Sequence, residues 1–384
     1  MINRELLSKL TSKATPYYFY DTELLRKTIQ EIKTESNKYG YQVHYALKAN
    51  THDGVVKEIV AAGFGADCVS GNEVSYAHSM GIPSERIAFA GVGKTDHEIL
   101  TALRVGIFSF NCESIPEIEV INDLAAQEGV VAPIAIRINP DVDPKTHEYI
   151  TTGLKDNKFG INHWDFDVVA ERLKSLDNIE LTGIHFHVGS QIMDMTVFEQ
   201  LSLKINKIAA WFKENDFHLH HINVGGGLGI NYEAPVEAPV ADFKGYFKAF
   251  HDHIHLEEGQ ELHFELGRSV VAQCGHLISK VLYVKQGLET QFMILDAGMT
   301  ELIRPALYGA HHDISVLTSD LSREKYDVVG PVCESSDVFA KGVMLPKSKR
   351  GDIVAIHSSG AYGQTMASSY NMRDLVKGYT TEEL

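Results

Sequence analysis

Eight short runs of apolar and β-branched residues alternate with longer amphipathic segments between residues 21 and 265. Alternating strands and helices imply parallel strands joined by helical crossovers. Eight of them favour an α/β fold with a closed (β/α)8 barrel of the TIM type over an open sheet. The predicted strands are Val43–Leu47, Ala66–Val69, Ile87–Ala90, Ile107–Phe110, Ile134–Ile138, Leu181–His187, His221–Val224 and Glu261–Glu265.

The segments between these strands carry helix start and stop residues. Asp21 and Asp53 are candidate N-caps, and Gly63 follows the second of these helices. The longest helix is predicted at about 196–215, where large apolar residues recur at helical spacing. No long helix follows the eighth strand, so we expect the helix near 22–38 to fill that place in the outer ring.

The pattern of apolar and polar residues changes after about residue 272. Apolar runs become short and are separated by turn residues, which is typical of a mostly antiparallel β domain. These runs are His276–Val284, Phe292–Leu295, Tyr326–Val329 and Ile353–Ile356. We therefore predict a barrel domain at 22–272 and a closely packed β domain that takes in 1–21 and 273–384.

Charge and cysteine usage restrict the partners and the compartment. The chain has 35 Lys and Arg against 51 Asp and Glu, so its net charge of −16 disfavours nucleic acid and anionic membranes as partners. No apolar stretch approaches the roughly 18 residues of a membrane span, and no secretory signal is indicated. The four cysteines lie far apart, which indicates reduced thiols in a cytoplasmic protein and no structural zinc site.

Chemically distinctive residues follow the predicted strands, at the face where a barrel carries its active site. In chain order they are Lys48, Asp67, Asn111, Arg137, His187, Gly225–Gly229 and Glu265. The carboxyl ends of barrel strands converge on one mouth. We therefore expect a lysine, a histidine, a glycine-rich turn, carboxylates and arginines to meet there.

Lys48 and the glycine run each have two interpretations. Lys48 either extends to solvent, or is a desolvated amine whose lowered pKa lets it form a Schiff base. Gly225–Gly227 either form a tight turn or expose backbone N–H groups to a phosphate, with Ser190 and Arg268 as further donors. The spacing does not match nucleotide-binding motifs.

The histidines and the last carboxylate also leave alternatives open. His185 and His187 face the same side of a strand, so they either ligate a metal or place His187 flat against a planar ring, with His185 behind it. Glu265 pairs either with Arg268 or with a protonated ring nitrogen. The pairs His220–His221 and His311–His312 are interpreted as ordinary polar positions. Lysine, phosphate nest, stacking histidine and carboxylate together are the components of a pyridoxal-phosphate site.

Long ordered motifs extend this interpretation to the whole chain. They are YALKAN, RINPDVDPKTHEYITTGLKDNKFGI, HFHVGSQ, GGGLGI, ELGRSVVA, DAGMTELIRPALYGAHH, GPVCESSD and SSGAYGQTMASSYNMR. On these motifs the chain resembles the alanine-racemase-like, fold type III pyridoxal-phosphate-dependent decarboxylases, and among them the diaminopimelate decarboxylases. The resemblance implies a barrel followed by a β domain. It also implies decarboxylation of meso-2,6-diaminopimelate at its D-centre to L-lysine and CO₂, the last step of lysine biosynthesis.

The same resemblance assigns the cofactor site. Lys48 would hold pyridoxal 5'-phosphate covalently, His187 would stack on its ring, and Glu265 would pair with the ring nitrogen. The other cofactor-binding positions that it implies are Asp67, Ser190, Gly225, Gly226, Gly227, Leu266, Gly267, Arg268 and Tyr362.

The substrate site also follows from the resemblance. Arg304 and Tyr308 would hold the distal carboxylate with help from Arg268 and Tyr362; the alternative for Arg304 is a structural salt bridge in the β domain. Glu334 would hold the distal ammonium. Cys333 would return the proton to Cα, with Lys48 as the rival donor. Cys333 and Glu334 would enter from the partner subunit, which implies a homodimer with shared active sites.

The sequence departs from the motifs of the family at two positions, and three other activities are alternatives to the expected one. Leu266 stands where the family usually has proline, and Ser336 stands where it usually has glycine; both bear on loop geometry. The substrates of a lysine or ornithine decarboxylase have no distal carboxylate, so Arg304 and Tyr308 argue against that activity. A racemase would want a catalytic tyrosine in the CES loop, and a non-catalytic pyridoxal-phosphate-binding paralogue would not need an intact Lys48.

Overall fold

The structure is a computed structural model that describes residues 4–140 and 158–384. The middle of the RINPDVDPKTHEYITTGLKDNKFGI motif, residues 141–157, lies outside the described residues. The chain begins with helix α1 (Arg4–Ser12) and strand β1 (Tyr17–Tyr20), and β1 pairs with strands of the second half of the chain.

Eight parallel strands close into a barrel in which each strand pairs with the next one along the chain, and the last closes on the first. They are β2 (Gln42–Ala46), β3 (Gly65–Cys68), β4 (Ile87–Phe89), β5 (Ser109–Cys112), β6 (Ala132–Arg137), β7 (Ile179–His185), β8 (His221–Asn223) and β9 (Glu261–Leu266). The predicted barrel is confirmed. β5 begins two residues later than predicted, and β7 ends at His185, so His187 lies just beyond its strand.

Helices form the outer ring. They are α2 (Thr22–Asn37), α3 (Asp53–Ala62), α4 (Gly71–Ser79), α5 (Asp96–Val105), α6 (Ile115–Glu128), α7 (Phe166–Leu173), α8 (Thr196–Glu214), α9 (Phe243–His253) and the short α10 (Arg268–Val271). Helix α2 packs against both α3 and α9, so it fills the outer-ring place beside β9 as expected. Asp21 caps α2 through its side chain, but α3 is capped by His52, with Asp53 as its first residue.

The second half of the chain is a mostly antiparallel β domain, as predicted. Its elements are β10 (Gly275–Gln286), β11 (Gln291–Leu295), α11 (Arg304–Tyr308), β12 (Ile314–Val316), β13 (Arg323–Val329), β14 (Val338–Pro346), β15 (Ile353–Ile356) and β16 (Lys377–Thr380). The sheet has the order β12-β15-β10-β11-β13-β14, and β1 joins it antiparallel to β10 and parallel to β16. The N-terminal segment therefore belongs to this sheet.

Two hydrogen bonds connect the β domain to the end of β2, next to Lys48. The side chain of Asn50 donates to the carbonyl of Gly360 over 2.8 Å, and the backbone N–H of Tyr362 donates to the carbonyl of Ala49, also over 2.8 Å. Tyr362 has a φ of 58°, a left-handed conformation that is uncommon for a non-glycine residue. The contact between the two halves thus fixes Tyr362 beside the mouth of the barrel.

Buried histidines close the opposite end of the barrel. His44, His221 and His263 surround the ring of Phe108, and the rings of Phe108 and His263 are stacked with centroids 4.9 Å apart. The interpretation of His221 as an ordinary polar position is wrong, because its side chain points inward from β8 and is buried. A histidine at this place closes the barrel as an aromatic core residue would.

Candidate active site

Lys48 lies in a single turn, Leu47–Ala49, directly after β2. Its Nζ is 3.0 Å from Oδ2 of Asp67 on β3, whose side chain is 1% exposed. Burial acts to lower the pKa of Lys48, but the negative charge of Asp67, followed by Tyr362 and Glu265, outweighs burial and raises it. The predicted lowering of the pKa of Lys48 is therefore wrong for the protein alone, because carboxylates surround the amine.

Glu265 is the penultimate residue of β9, lies inside the barrel and is 6% exposed. Its carboxylate faces three side-chain nitrogens: Nε2 of His185 at 2.9 Å, Nδ2 of Asn111 at 3.0 Å and Nδ2 of Asn223 at 2.7 Å. Burial would raise the pKa of Glu265, but the charge and hydrogen bond of His185, then the charge of Lys48, hold it below its usual range. Glu265 is therefore held as an anion deep in the site.

The expected structural partner of Glu265, Arg268, is not among these contacts. Its Nε donates to Oγ of Ser190 over 3.1 Å and its Nη1 donates to the hydroxyl of Tyr232 over 2.8 Å. That alternative is wrong because Arg268 begins α10, after the chain has turned at Gly267. Asn111, Asn223 and His185 stabilise the buried charge of Glu265 instead.

His187 borders the site just beyond β7. Burial, then the positive charges of Arg137 and Lys48, lowers the pKa of His187 well below its ordinary value, so the ring is neutral. A neutral imidazole has no charge repulsion toward a protonated ring stacked on it. Its neighbour His185 contacts Glu265, as expected for a residue behind the site.

The glycine run packs tightly against the ends of β7 and β9. A Cβ on Gly226 would lie 2.0 Å from the carbonyl oxygen of Glu265, and a Cβ on Gly225 would lie 2.3 Å from that of Phe186. The N–H of Gly225 donates to Oδ1 of Asn223 over 2.9 Å. Close packing thus explains the glycines at these two positions, and phosphate binding by the run stays a prediction.

Two buried arginines face the same cavity, and neither has an acidic partner among the described residues. Arg268 and Arg304 are each 6% exposed, and neither forms an ion pair with any acid in the described part of the chain. Arg304 donates through Nη1 to the hydroxyl of Tyr232 over 3.1 Å and to Nε2 of His312 over 3.0 Å. Buried cations are costly without a counter-charge, so this arrangement calls for an anionic ligand.

Half of the predicted site residues line two adjoining cavities. The larger, of about 740 Å³, is lined by His187, Ser190, Arg268, Arg304, Tyr308 and Tyr362, among others. The second, of about 440 Å³, is lined by Lys48, Arg137, His185, His187 and Glu265, among others. His187 borders both, so the amine and carboxylate lie on one side of it and the arginines on the other.

Other positions that were singled out in the sequence line neither cavity. Cys333 and Glu334 are exposed between β13 and β14 and line neither cavity of their own chain, and Oε1 of Glu334 accepts from the hydroxyl of Tyr370 over 2.7 Å. Ser336 is exposed in the same loop. Leu266 is buried and pairs in register with Tyr45 of β2, so leucine extends the barrel pairing where proline would lack the N–H.

The sequence did not single out two of the residues that shape the arginine cavity. Tyr232 lies seven residues beyond Gly225, and a polar aromatic residue after a glycine turn at a strand end was an available signal. His312 was interpreted as an ordinary polar position, which is wrong because it is buried against Arg304. Its partner Arg304 is eight residues earlier in the sequence, and no motif or spacing in the sequence relates the two residues.

Two features are absent from the described residues. None of their helices is long and apolar enough to cross a membrane. No group of three or more His, Cys, Asp or Glu residues among them is placed to hold a metal ion.

Comparisons with known proteins agree on one family. The model of the pyridoxal-dependent decarboxylase, pyridoxal binding domain, matches residues 23–272. A diaminopimelate decarboxylase of Bacteroides thetaiotaomicron is 54% identical over 379 residues, 98% of each chain. The crystal structure of diaminopimelate decarboxylase from Helicobacter pylori complexed with L-lysine superposes with a TM-score of 0.93, at 38% identity, over 100% of this chain and 95% of that one. The crystal structure of diaminopimelate decarboxylase from M. jannaschii in co-complex with L-lysine superposes with a TM-score of 0.89, at 33% identity, over 98% of this chain and 90% of that one.

Proposed function

The chain belongs to the pyridoxal-dependent decarboxylases, among the diaminopimelate decarboxylases, and from that premise we propose that it removes CO₂ from the D-centre of meso-2,6-diaminopimelate and yields L-lysine. One observation supports this substrate in particular. The Lys48–Glu265 side of the cavity system faces a pair of buried arginines, Arg268 and Arg304, that lack an acidic partner among the described residues. A substrate with a reacting amino-acid end and a second carboxylate matches both sides.

The residues present fit pyridoxal phosphate, the cofactor of this family. Lys48 offers an amine for its aldehyde, Glu265 an ionised carboxylate for its ring nitrogen, and neutral His187 a flat face for its ring. Ser190 and Arg268, which bond each other over 3.1 Å, offer donors for its phosphate. When bound, the cofactor supplies an electron sink for the carbon that loses CO₂.

Glu265 would keep a proton on the ring nitrogen of the bound cofactor. Asn111, Asn223 and His185 hold its carboxylate ionised and oriented, because each contacts one of its oxygens over 2.7–3.0 Å. An ionised carboxylate beside a basic nitrogen favours the protonated form of that nitrogen. Glu265 would thus preserve the positive charge that makes the bound ring an electron sink.

Lys48 would hold the cofactor through its amine. Asp67 would hold the Lys48 ammonium whenever that amine is not bound to the cofactor, since its carboxylate lies 3.0 Å from Nζ in the protein alone. Burial and then Glu265 raise the pKa of Asp67, while Lys48 lowers it, so the charge of Asp67 depends on where Lys48 is. Lys48 remains one of two candidates to return a proton to Cα.

Cys333 of a partner subunit is the other candidate, in a homodimer with shared sites. The support is that Cys333 and Glu334 are exposed and line neither cavity of their own chain, although the resemblance assigns both to the site. Tyr370 holds Glu334 through a hydrogen bond of 2.7 Å, which orients its carboxylate for the distal ammonium. We also propose the domain limits 22–272 against 1–21 and 273–384, and a cytoplasmic location, which suits the four free cysteines.

The direct test measures CO₂ release and product configuration with the cofactor-loaded protein. Meso-, LL- and DD-diaminopimelate, D-lysine and L-ornithine are compared, and we expect meso-diaminopimelate to give L-lysine at the highest kcat/KM. Lys48→Ala should abolish release, whereas Lys57→Ala, an exposed position on α3, should not. A higher kcat/KM with D-lysine or L-ornithine would contradict the proposal and favour a related diamino-acid decarboxylase.

A further inference from the structure

The hydroxyl of Tyr232 lies between the two arginines of the larger cavity. Nη1 of Arg268 is 2.8 Å from this oxygen and Nη1 of Arg304 is 3.1 Å from it. A guanidinium group only donates hydrogen bonds, so the phenolic oxygen accepts from both. Two donors fill the acceptor sites of that oxygen.

The proton of this hydroxyl remains available. Among the hydrogen bonds of the described residues, Tyr232 appears as an acceptor at its oxygen and not as a donor. Tyr232 lines the same cavity as both arginines, so its O–H is near the place where an anion would bind. Burial acts to raise the pKa of Tyr232, but the charges of Arg268 and Arg304 outweigh burial and lower it. Cations on its oxygen make the phenol a stronger donor.

The position of Tyr232 is fixed from several sides. The side chain of Gln191 bonds both backbone groups of Ile230: Nε2 donates to the carbonyl over 2.7 Å, and the N–H donates to Oε1 over 3.2 Å. The guanidinium carbon of Arg304 lies 5.2 Å from the centre of the Tyr232 ring, and His312 meets this ring edge-on at 5.3 Å. The hydroxyl is therefore preorganised.

We propose that Tyr232 is a specificity-determining residue that donates its hydroxyl proton to the carboxylate of the non-reacting end of the substrate. The inference rests on the proposed function, since it assigns a third donor beside Arg268 and Arg304. Three converging donors suit a carboxylate, whose two oxygens accept several hydrogen bonds. A substrate without that carboxylate gains nothing from the Tyr232 hydroxyl.

The test removes only the hydroxyl and compares ligands that differ only in the carboxylate. Tyr232→Phe keeps the ring, and Tyr283→Phe is the matched control because Tyr283 is exposed on β10. Binding of L-lysine and of cadaverine to the cofactor-loaded protein is measured by calorimetry, and kcat and KM are measured for meso-diaminopimelate and D-lysine. We expect Tyr232→Phe to weaken L-lysine binding and raise KM for meso-diaminopimelate roughly tenfold or more, the value of one hydrogen bond to a charged group. Cadaverine binding and KM for D-lysine should stay within about twofold.

The outcomes separate this inference from the proposed function. If the unchanged protein decarboxylates meso-diaminopimelate but Tyr232→Phe binds L-lysine and cadaverine as before, or weakens both equally, the inference fails and the function stands. In an Arg304→Ala background, Tyr232→Phe should still weaken L-lysine binding. No further loss there would mean that Tyr232 acts only through Arg304, and direct donation would be overturned. Absence of meso-diaminopimelate decarboxylation in the unchanged protein contradicts the proposed function itself.

Discussion

Nζ of Lys48 lies 3.0 Å from Oδ2 of Asp67, in an ion pair between the ends of two neighbouring barrel strands. A lysine at the end of an apolar strand suggested an amine freed of its charge by burial. The neighbouring carboxylates reverse that expectation, because Asp67, then Tyr362 and Glu265, raise the pKa of Lys48. In the protein without cofactor, the side chain of Lys48 is therefore a protonated ammonium group.

The first prediction concerns cofactor uptake by the protein freed of cofactor. The neutral amine is the reactive form, and Asp67→Asn removes the largest charge that raises the pKa of Lys48. The rate of reaction with pyridoxal phosphate should increase with pH as Lys48 loses its proton. We expect this increase to occur at a lower pH in Asp67→Asn than in the unchanged protein. Stopped-flow absorbance across pH 7–10 measures this, with Asp167→Asn, exposed on α7, as the control. Equal pH profiles for the three proteins would mean that Asp67 does not set the charge of Lys48.

The second prediction concerns Arg304. Its Nη1 bonds Tyr232 and His312, and no described acid pairs with it, so its charge is free for a carboxylate ligand. A charged hydrogen bond contributes about 1.5–3 kcal/mol, so Arg304→Ala should lower kcat/KM for meso-diaminopimelate about a hundredfold and leave D-lysine nearly unchanged. Arg304→Lys should not rescue it, since an ammonium lacks the planar fork. If the alanine variant kept its full preference for diaminopimelate, Arg268 would be the first suspect for the carboxylate partner.

The parts of the fold that could be predicted from the sequence are those that depend on residues close together in the chain. The eight barrel strands were predictable because each is a local apolar run, and their parallel order follows from the helices between them. Strand ends were less certain. β7 ends at His185, two residues before its predicted end, although Val188 continues the apolar pattern as far as Gly189, which has a φ of 142°.

The candidate site was predictable where one residue carries the chemistry and less so where partners are distant. Lys48, His187 and Glu265 all lie within two residues of the carboxyl ends of their strands, so convergence was expected. The partners of Glu265 come from β5, β7 and β8, and no spacing in the sequence relates Asn111 or Asn223 to it. The role of Tyr232 likewise depends on its contact with Arg304, which comes from the other half of the chain.

The third prediction tests the shared site. Lys48→Ala removes the amine that binds the cofactor, and Cys333→Ala removes the proposed proton donor of the neighbouring site. When the two inactive proteins are mixed and allowed to exchange subunits, about a quarter of all sites should combine an intact Lys48 with an intact Cys333. Recovery of CO₂ release toward that fraction is the expected result. No recovery, with exchange demonstrated by mass spectrometry of differently tagged subunits, would show that each chain completes its own site.

The last prediction concerns the closed end of the barrel. Nδ1 of His44 lies 3.1 Å from the carbonyl oxygen of Arg86, and Nε2 lies 2.8 Å from Nδ1 of His263. Burial, then the charge of His263, lowers the pKa of His44 from 6.5 to about 4. Between these two values the unfolded chain binds a proton that the folded protein does not, so stability falls as pH falls through that window.

At pH 5 the cost from His44 alone is about 2 kcal/mol relative to neutral pH. His44→Gln removes the titrating group, so its unfolding free energy should fall by about 2 kcal/mol less than that of the unchanged protein between pH 7 and pH 5. His218→Gln, an exposed position, is the matched control and should fall as the unchanged protein does. Urea unfolding followed by tryptophan fluorescence suits the question, since Trp164 and Trp211 both lie in the barrel half of the chain. If His44→Gln lost as much stability on acidification as His218→Gln, the acid sensitivity would come from other buried histidines, and His221 of the same cluster would be the next position to test.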